Sequence, residues 1–412
     1  MLSARGWIVL GSGLFLWVAA RMVGSPGLHI VAAGVTVLPV VAWTFVVLTR
    51  HKLGVTRRLS ATKVPLGQRL TVDIDIENNA SAPTSFVLVE DRVPSALGRP
   101  ARLVLTGLPG RNDQRVRYEV ACRSRGQHAI GPLTLSLQDP FGLTRIRLDY
   151  PGRDHVVVLP EVEALEQGLP SPFGAGSGRS LTRHLLPAGE EFYTMREYQL
   201  GDDLRRIHWK SVARRGRLMI RQDEAARRGV SVLFVDTRAG ALGLSGEAGF
   251  ERAVSAAASV GVLLARSGFT IRMATSQTKP VAMAEEQLLE KLAAISHTHS
   301  SSLSQALVPL RSVAGGDTTL VAVTAPPAPR EIATLTRVGS AFGPKLAILV
   351  YPVEPATLPT EGQSQLEGKA SVARQSLMRA GWEVVLLSPA GHLKDLWDTS
   401  RTRSLSLTGS SR

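Results

Sequence analysis

The stretch GEEFYTMREYQLGDDLRRIHWKSVARRGRLMIRQ, residues 189–222, separates two halves of different periodicity. Tyr198-Gln199-Leu200-Gly201 reads as a turn, because glycine takes positive φ without steric cost. Asp202 stands where a helix N-cap belongs, and Leu204, Ile207 and Val212 follow one face of a short helix. Gly216 supplies a stop after Arg214 and Arg215, and Leu218 to Arg221 restarts as strand. Arg196, Arg205, Arg206, Lys210, Arg214, Arg215, Arg217 and Arg221 are mixed with Glu190, Glu191, Glu197, Asp202 and Asp203. Such mixing fits a solvated, self-paired face in which each pair contributes little. It also fits a docking surface centred on His208 and Trp209. An active site built from Asp202, Asp203 and His208 would need those groups to converge, whereas adjacent carboxylates diverge on a helix.

Upstream, Gly6 to Ala20 is apolar between Arg5 and Arg21, and Leu28 to Thr49 is apolar again, broken only by His29. The second run is long enough to span a bilayer, and the first becomes so with Met22 and Val23 if Arg21 snorkels. Residues 1–52 are therefore expected to form a two-helix transmembrane hairpin, with Trp7, Trp17 and Trp43 at head-group level. A cleaved signal peptide ending near Ala20 fits less well, since Arg21 follows directly and a full second span comes at once. Arg50, Lys52, Arg57 and Arg58 follow the hairpin, against Arg21 in its loop, so both ends are expected to face the cytoplasm.

Residues 53–160 change to period two. Leu70, Val72, Ile74 and Ile76 alternate with polar residues, as do Val116, Tyr118 and Val120, and Leu133, Leu135 and Leu137. This predicts an antiparallel β-sandwich, Ig-like in architecture. Residues 161–188 read as a linker, with Pro170 to Gly178 too irregular for a phosphate-cradling loop. Past the central stretch, Val230 to Val235 is a continuous apolar run, and helix and strand patterns alternate to residue 395. That alternation predicts a doubly wound α/β domain over 230–395. Residues 396–412 are Ser/Arg-rich and are expected to be disordered.

The 412 residues carry 48 Lys and Arg against 34 Asp and Glu, a net charge of +14 that favours anionic partners. No specific nucleic acid is expected. The single cysteine, Cys122, excludes an internal disulfide and a Cys-rich metal site. His297 and His299, with no third ligand nearby, read as loop histidines.

The ordered set Glu191, Phe192, Arg196, Glu197, Tyr198, Gly201, Asp202, Asp203, Arg205, Ile207, Trp209, Lys210, Ala213 and Arg214 resembles the signature of the bacterial membrane proteins called domain of unknown function family 58. Asp139-Pro140-Phe141-Gly142 resembles the segment that precedes it. The resemblance implies a last domain similar to a von Willebrand A domain. It also implies a MoxR-type AAA+ ATPase as partner, and a role in envelope-associated assembly or regulation rather than catalysis, with no cofactor. In such domains an Asp-x-Ser-x-Ser run, a Thr and a second Asp hold a divalent cation. Here Asp236-Thr237-Arg238-Ala239-Gly240 keeps only the first Asp. Ser301 stands for the Thr, and Thr324-Ala325 occupies the place of the second Asp. The expectation is a degenerate site without metal, in which Arg238 pairs with Asp236.

Within the signature, Arg196, Glu197, Asp202, Arg205 and Trp209 are expected to form a clasp, with Trp209 packed into a seam between the soluble domains. Arg206, Lys210, Arg214 and Arg215 are expected to form the docking face. A membrane-tethered hydrolase using Asp202, Asp203 and His208, or a basic binder of polyanions or lipid surfaces, stays open as an alternative. Client and oligomeric state are not legible.

Overall fold

The computed structural model describes residues 2–50, 53–81, 83–84, 86–139, 141–165, 193–198, 207, 209–223, 229–299 and 302–397. It divides into two compact units, Met1–Leu159 and Pro160–Arg412.

The first unit opens with α1 (Ala4–Val23) and α2 (Pro26–Arg50), two helices long and apolar enough to cross a membrane. Gly24 takes a left-handed φ of 68° and ends α1, and Pro26 starts α2 at once. The helices pack closely at Gly13, where a Cβ would come within 2.5 Å of Thr36 Oγ1. Their outer faces leave Ile8, Phe15 and Ile30 more than two-thirds exposed, which water would not tolerate in so large a patch.

Ten strands follow: β1 (Leu53–Leu59), β2 (Lys63–Pro65), β3 (Arg69–Asn78), β4 (Phe86–Asp91), β5 (Ala101–Thr106), β6 (Asn112–Ala121), β7 (Gly126–Ile130), β8 (Leu133–Gln138), β9 (Arg145–Tyr150) and β10 (Asp154–Leu159). They form three sheets, ordered β1-β3-β6, β2-β10-β7 and β5-β4-β8-β9. All pairs are antiparallel except β2 with β10. The period-two residues Leu70, Val72, Ile74 and Ile76 of β3 share one apolar cluster with Val87 and Val89 of β4 and with Leu133, Leu135 and Leu137 of β8. Cys122 is buried in the same cluster, where desolvation pushes its thiol pKa up, as befits a small apolar filler.

The hairpin belongs to this unit. Ser3 donates its backbone N–H to the Leu143 carbonyl (2.8 Å) and its hydroxyl to the Gly142 carbonyl (2.6 Å), while Leu2 bridges Thr144. The Ser3 hydroxyl also caps α1 by accepting from the Gly6 N–H. A Cβ at Gly6 would meet the Leu143 carbonyl oxygen at 2.2 Å, so only glycine allows this approach. The turn that carries Asp139 and Gly142 thus clasps the start of the first apolar helix.

Arg57, counted among the basic residues that follow the hairpin, is only 7% exposed in its side chain. It bonds Asp91 (2.8 Å), Asp154 (2.6 Å) and the Gly152 carbonyl (2.8 Å), and Tyr118 donates to the second Asp91 oxygen. Burial pushes the Asp91 carboxyl up from its ordinary value, opposed by Tyr118 and Arg57.

The second unit contains β11 (Tyr193–Glu197), α3 (Trp209–Arg215) and β12 (Met219–Asp223). A sheet domain follows: β13 (Val230–Val235), α4 (Ala239–Leu242), α5 (Ala248–Arg266), β14 (Thr270–Thr275), β15 (Val281–Met283), α6 (Glu285–Ala294), α7 (Leu303–Leu307), β16 (Thr318–Thr324), α8 (Pro329–Gly339), β17 (Lys345–Val350), α9 (Thr360–Arg379) and β18 (Glu383–Leu387). The sheet order is β15-β14-β13-β16-β17-β18, parallel except for the edge strand β15. Alternate residues of the central strands feed two cores: Leu233 and Val235 pack with α5 and α6, and Val232 and Phe234 with α7, α8 and α9. Although α5 is long and apolar enough to cross a membrane, 78% of its apolar window is buried inside the unit, which makes it a core helix.

Two expected boundaries move. The residues following Pro160 are held to the sheet domain rather than loose: Ser255 donates to the Glu161 carbonyl, and Glu163 pairs with Arg252 at 2.9 Å. At the other end, residues 393–397 are helical and Trp397 is fully buried, so the fold runs past 395. The rest of both segments, 166–188 and 398–412, lies outside the described residues.

Candidate functional site

Two clusters inherit the residues singled out above. The first is the signature hairpin. Antiparallel pairing runs from Tyr193↔Asp223 to Glu197↔Met219, extended by a bond from Tyr198 N–H to the Leu218 carbonyl. The connection holds α3, which begins at Trp209, not after Asp202: Ile207 lies in a β-bridge, an extended conformation no helix allows. Gly216 ends α3 with φ 68° and donates to the Val212 carbonyl. Arg217 bonds Glu197 across the hairpin at 2.8 Å, which raises the guanidinium pKa, on a fully solvated surface.

Trp209, Lys210, Ala213 and Arg214 are all exposed, and their spacing puts them on one face of α3. Trp209, expected to pack into a seam, is 68% exposed. The described residues give Glu197 a surface clasp with Arg217, while Arg196 and Arg215 are placed by backbone only, in β11 and α3. Asp202, Asp203, Arg205, Arg206 and His208 lie outside the described residues.

The second cluster lies at the carboxyl end of β13. The chain leaves β13 for β14 on one side and returns to β16 on the other, so the crevice between β13 and β16 is the switch point where open α/β sheets bind ligands. Asp236, fully buried, sits there. Its Oδ1 accepts from Arg238 Nε (2.9 Å) and from the Ser276 hydroxyl (3.0 Å). Its Oδ2 accepts from Arg238 Nη2 (2.8 Å) and the Thr324 hydroxyl (2.8 Å). Arg238 Nη1 reaches Glu331 at 2.6 Å, and the other Glu331 oxygen accepts from the Ala328 N–H to start α8. Burial alone would lower the Arg238 pKa, but hydrogen bonds and charge from Asp236, then Glu331, outweigh it and raise it.

Asp236 and Arg238 therefore pair, as expected. A divalent cation does not fit, because both carboxylate oxygens are taken and a guanidinium already lies on them. Ser301 lies outside the described residues, and Thr298 instead lines the cluster, donating its N–H to the Thr237 carbonyl. Among the described residues no group of three His, Cys, Asp or Glu is placed to hold a metal. Sequence reasoning overlooked Ser276 and Glu331. Glu331, three residues into a helix that opens at Pro329, carried a capping signal that could have placed it. His297 and His299 stack edge to face at 5.4 Å in a loop, where His297 accepts from the Ser245 N–H.

The profile of the family described as "Protein of unknown function DUF58" matches residues 194–380. The uncharacterized protein YeaD of Bacillus subtilis (strain 168) is 25% identical over 214 residues, covering 50% of this chain and 51% of that protein. The chain thus spans about half the length of this curated relative. Among solved structures, the CARDB domain of a Pyrococcus furiosus protein shares 9% identity, with 26% of this chain and 91% of that one covered at a TM-score of 0.20. The C-terminal domain of wzt shares 5% identity, with 27% and 75% covered at the same score. Likeness at that level carries no argument. The matched span takes in β11, the α3 face and the sheet through α9, and over that span the chain is similar to the DUF58 family, whose function is unknown.

Proposed function

We propose that this chain is a membrane-anchored interaction and assembly protein, not an enzyme, and that the outward face of α3 docks a protein partner. The observation that carries the reading is the exposure of Trp209, Lys210, Ala213 and Arg214 together on that face. An exposed tryptophan flanked by cations is the composition of an interface hot spot, and nothing in the packing of the described residues requires it there. The sealed crevice at Asp236 supports the same reading, since the place where such a sheet would take a ligand is filled by its own arginine. The family resemblance adds the partner class, a MoxR-type AAA+ ATPase, and with it a cytoplasmic side for both units.

The finer architecture we infer is an Ig-like sandwich followed by a von Willebrand A-like domain. Antiparallel sheets that share one apolar core support the first, and an Asp at the end of β13 in this strand order supports the second. No observation favours a hydrolase built on Asp202, Asp203 and His208.

The test is capture of a purified MoxR-type ATPase by the full-length protein in detergent. Trp209→Ala with Arg214→Ala should weaken capture by about thirtyfold, the scale of one hot spot. Undiminished capture by the double variant would overturn the docking face. Binding that collapses steeply with salt, and passes equally to any polyanion, would replace a protein partner with a basic-surface binder.

A further inference from the structure

We propose that the junction between α1 and the β8–β9 pair binds the phosphate of an anionic phospholipid head group. A cavity of about 1120 Å³ opens there, within the first unit. Arg5 from the first turn of α1, Trp43 from α2, and Arg145 with Arg147 from β9 line it, and among the described residues no Asp or Glu does. The strand period places Arg145 and Arg147 on one face of β9, about 7 Å apart, a span that brackets a phosphate group. Arg5 and Arg145 also line an adjoining cavity of about 320 Å³ with Phe86 and Phe141. The one carboxylate there, Asp139, is buried and accepts from the backbone N–H groups of Phe141 and Thr144.

The arginines are held in place. Arg145 donates to Gln138 (3.3 Å), and Arg147 to Asp149 (2.9 Å) and to the Thr134 hydroxyl. A guanidinium carries five N–H donors, so these bonds orient Arg147 and leave donors for a phosphate oxygen.

Depth decides the ligand class. The clasp of Ser3 on Gly142 and Leu143 fixes where the first apolar helix begins, and Arg5 follows two residues later. Trp43 lies seven residues before the end of α2, about 10 Å along its axis. A tryptophan at that level beside clustered arginines marks the head-group layer of a bilayer. The proposal rests on the hairpin lying in a membrane. It is independent of the α3 docking face.

The experiment offers the full-length protein, in non-ionic detergent, equal amounts of phosphatidylglycerol and phosphatidylcholine with matched chains, and weighs the retained lipids by native mass spectrometry. The native chain should prefer phosphatidylglycerol by at least about tenfold, and Arg5→Gln with Arg147→Gln should abolish the preference. Arg69→Gln with Arg102→Gln, a charge-matched pair of changes on β3 and β5 away from the cavity, should keep it. Equal retention of both lipids by the native chain, or an equal loss in the paired Arg69 and Arg102 variant, would overturn the site. Release of the lipid by millimolar inorganic phosphate, with equal protection against melting, would transfer the site to free phosphate and overturn the lipid assignment. A chain soluble without detergent and free of any lipid would instead break the membrane reading beneath it.

Discussion

Arg238 and Arg214 stand in the same unit and in opposite surroundings. Arg238 is 6% exposed, forked onto Asp236 and tied to Glu331, at the point where a parallel sheet would otherwise open to a ligand. Arg214 stands in solvent beside Lys210 and Trp209 on a seven-residue helix too short to persist without its tertiary setting. The first arginine closes a site from within. The second, among the described residues, is left on the surface. Charge count alone does not separate structure from function in this chain; desolvation does.

The comparison breaks most visibly if Arg238 is removed. Arg238→Ala leaves a buried Asp236 carboxylate without its counter-charge and should cost about 3–5 kcal/mol in denaturant unfolding of the full-length protein. A loss under ~1 kcal/mol, the scale of a surface pair, would mean that the cluster is not sealed.

Glu383, at the start of β18, sharpens the contrast from another side, since its buried Oε2 has no hydrogen-bond partner among the described residues. Burial pushes its carboxyl up to about 8 from an ordinary 4.5. The folded state then favours the protonated form, so this contribution is full below about 4.5 and is lost as pH rises through about 8. Glu383→Gln should flatten that decline and raise stability above pH 8 by roughly a few kcal/mol, with no gain below 4.5. Melting curves of the two chains that run parallel across this range would show Glu383 to be hydrated.

The smallest effect belongs to α3. Lys210→Ala with Arg214→Ala should change stability by under ~0.5 kcal/mol, as exposed charges do. A loss approaching that of Arg238→Ala, in the same unfolding measurement, would place the α3 face inside the structure and remove the docking reading.

Periodicity made most of this architecture readable. Leu70 to Ile76 alternate because β3 is buried on one face, and Val230 to Val235 run unbroken because β13 is buried on both. Short elements escaped: α4, α7 and β15 have three to five residues each, less than two periods of their own patterns. Pairing of distant charges was legible only where sequence kept the partners close, as with Asp236 and Arg238. Arg57 with Asp91 and Asp154 was not, because strand order alone brings them together. Trp209 misled for a different reason: tryptophan's apolar bulk favours burial, and nothing local reveals that its helix faces outward.

The clasp at Ser3 has a consequence for the order of synthesis. Its acceptor at Gly142 lies 139 residues further along the chain. At about 5–20 residues per second, the first apolar helix waits roughly 7–28 s before its anchor exists. A hairpin that enters a bilayer would therefore meet the lipid as an untethered pair of helices, and the strands that emerge later would have to find its end. In that order insertion would come first, and the β-sheets would be fitted onto an anchor already in place.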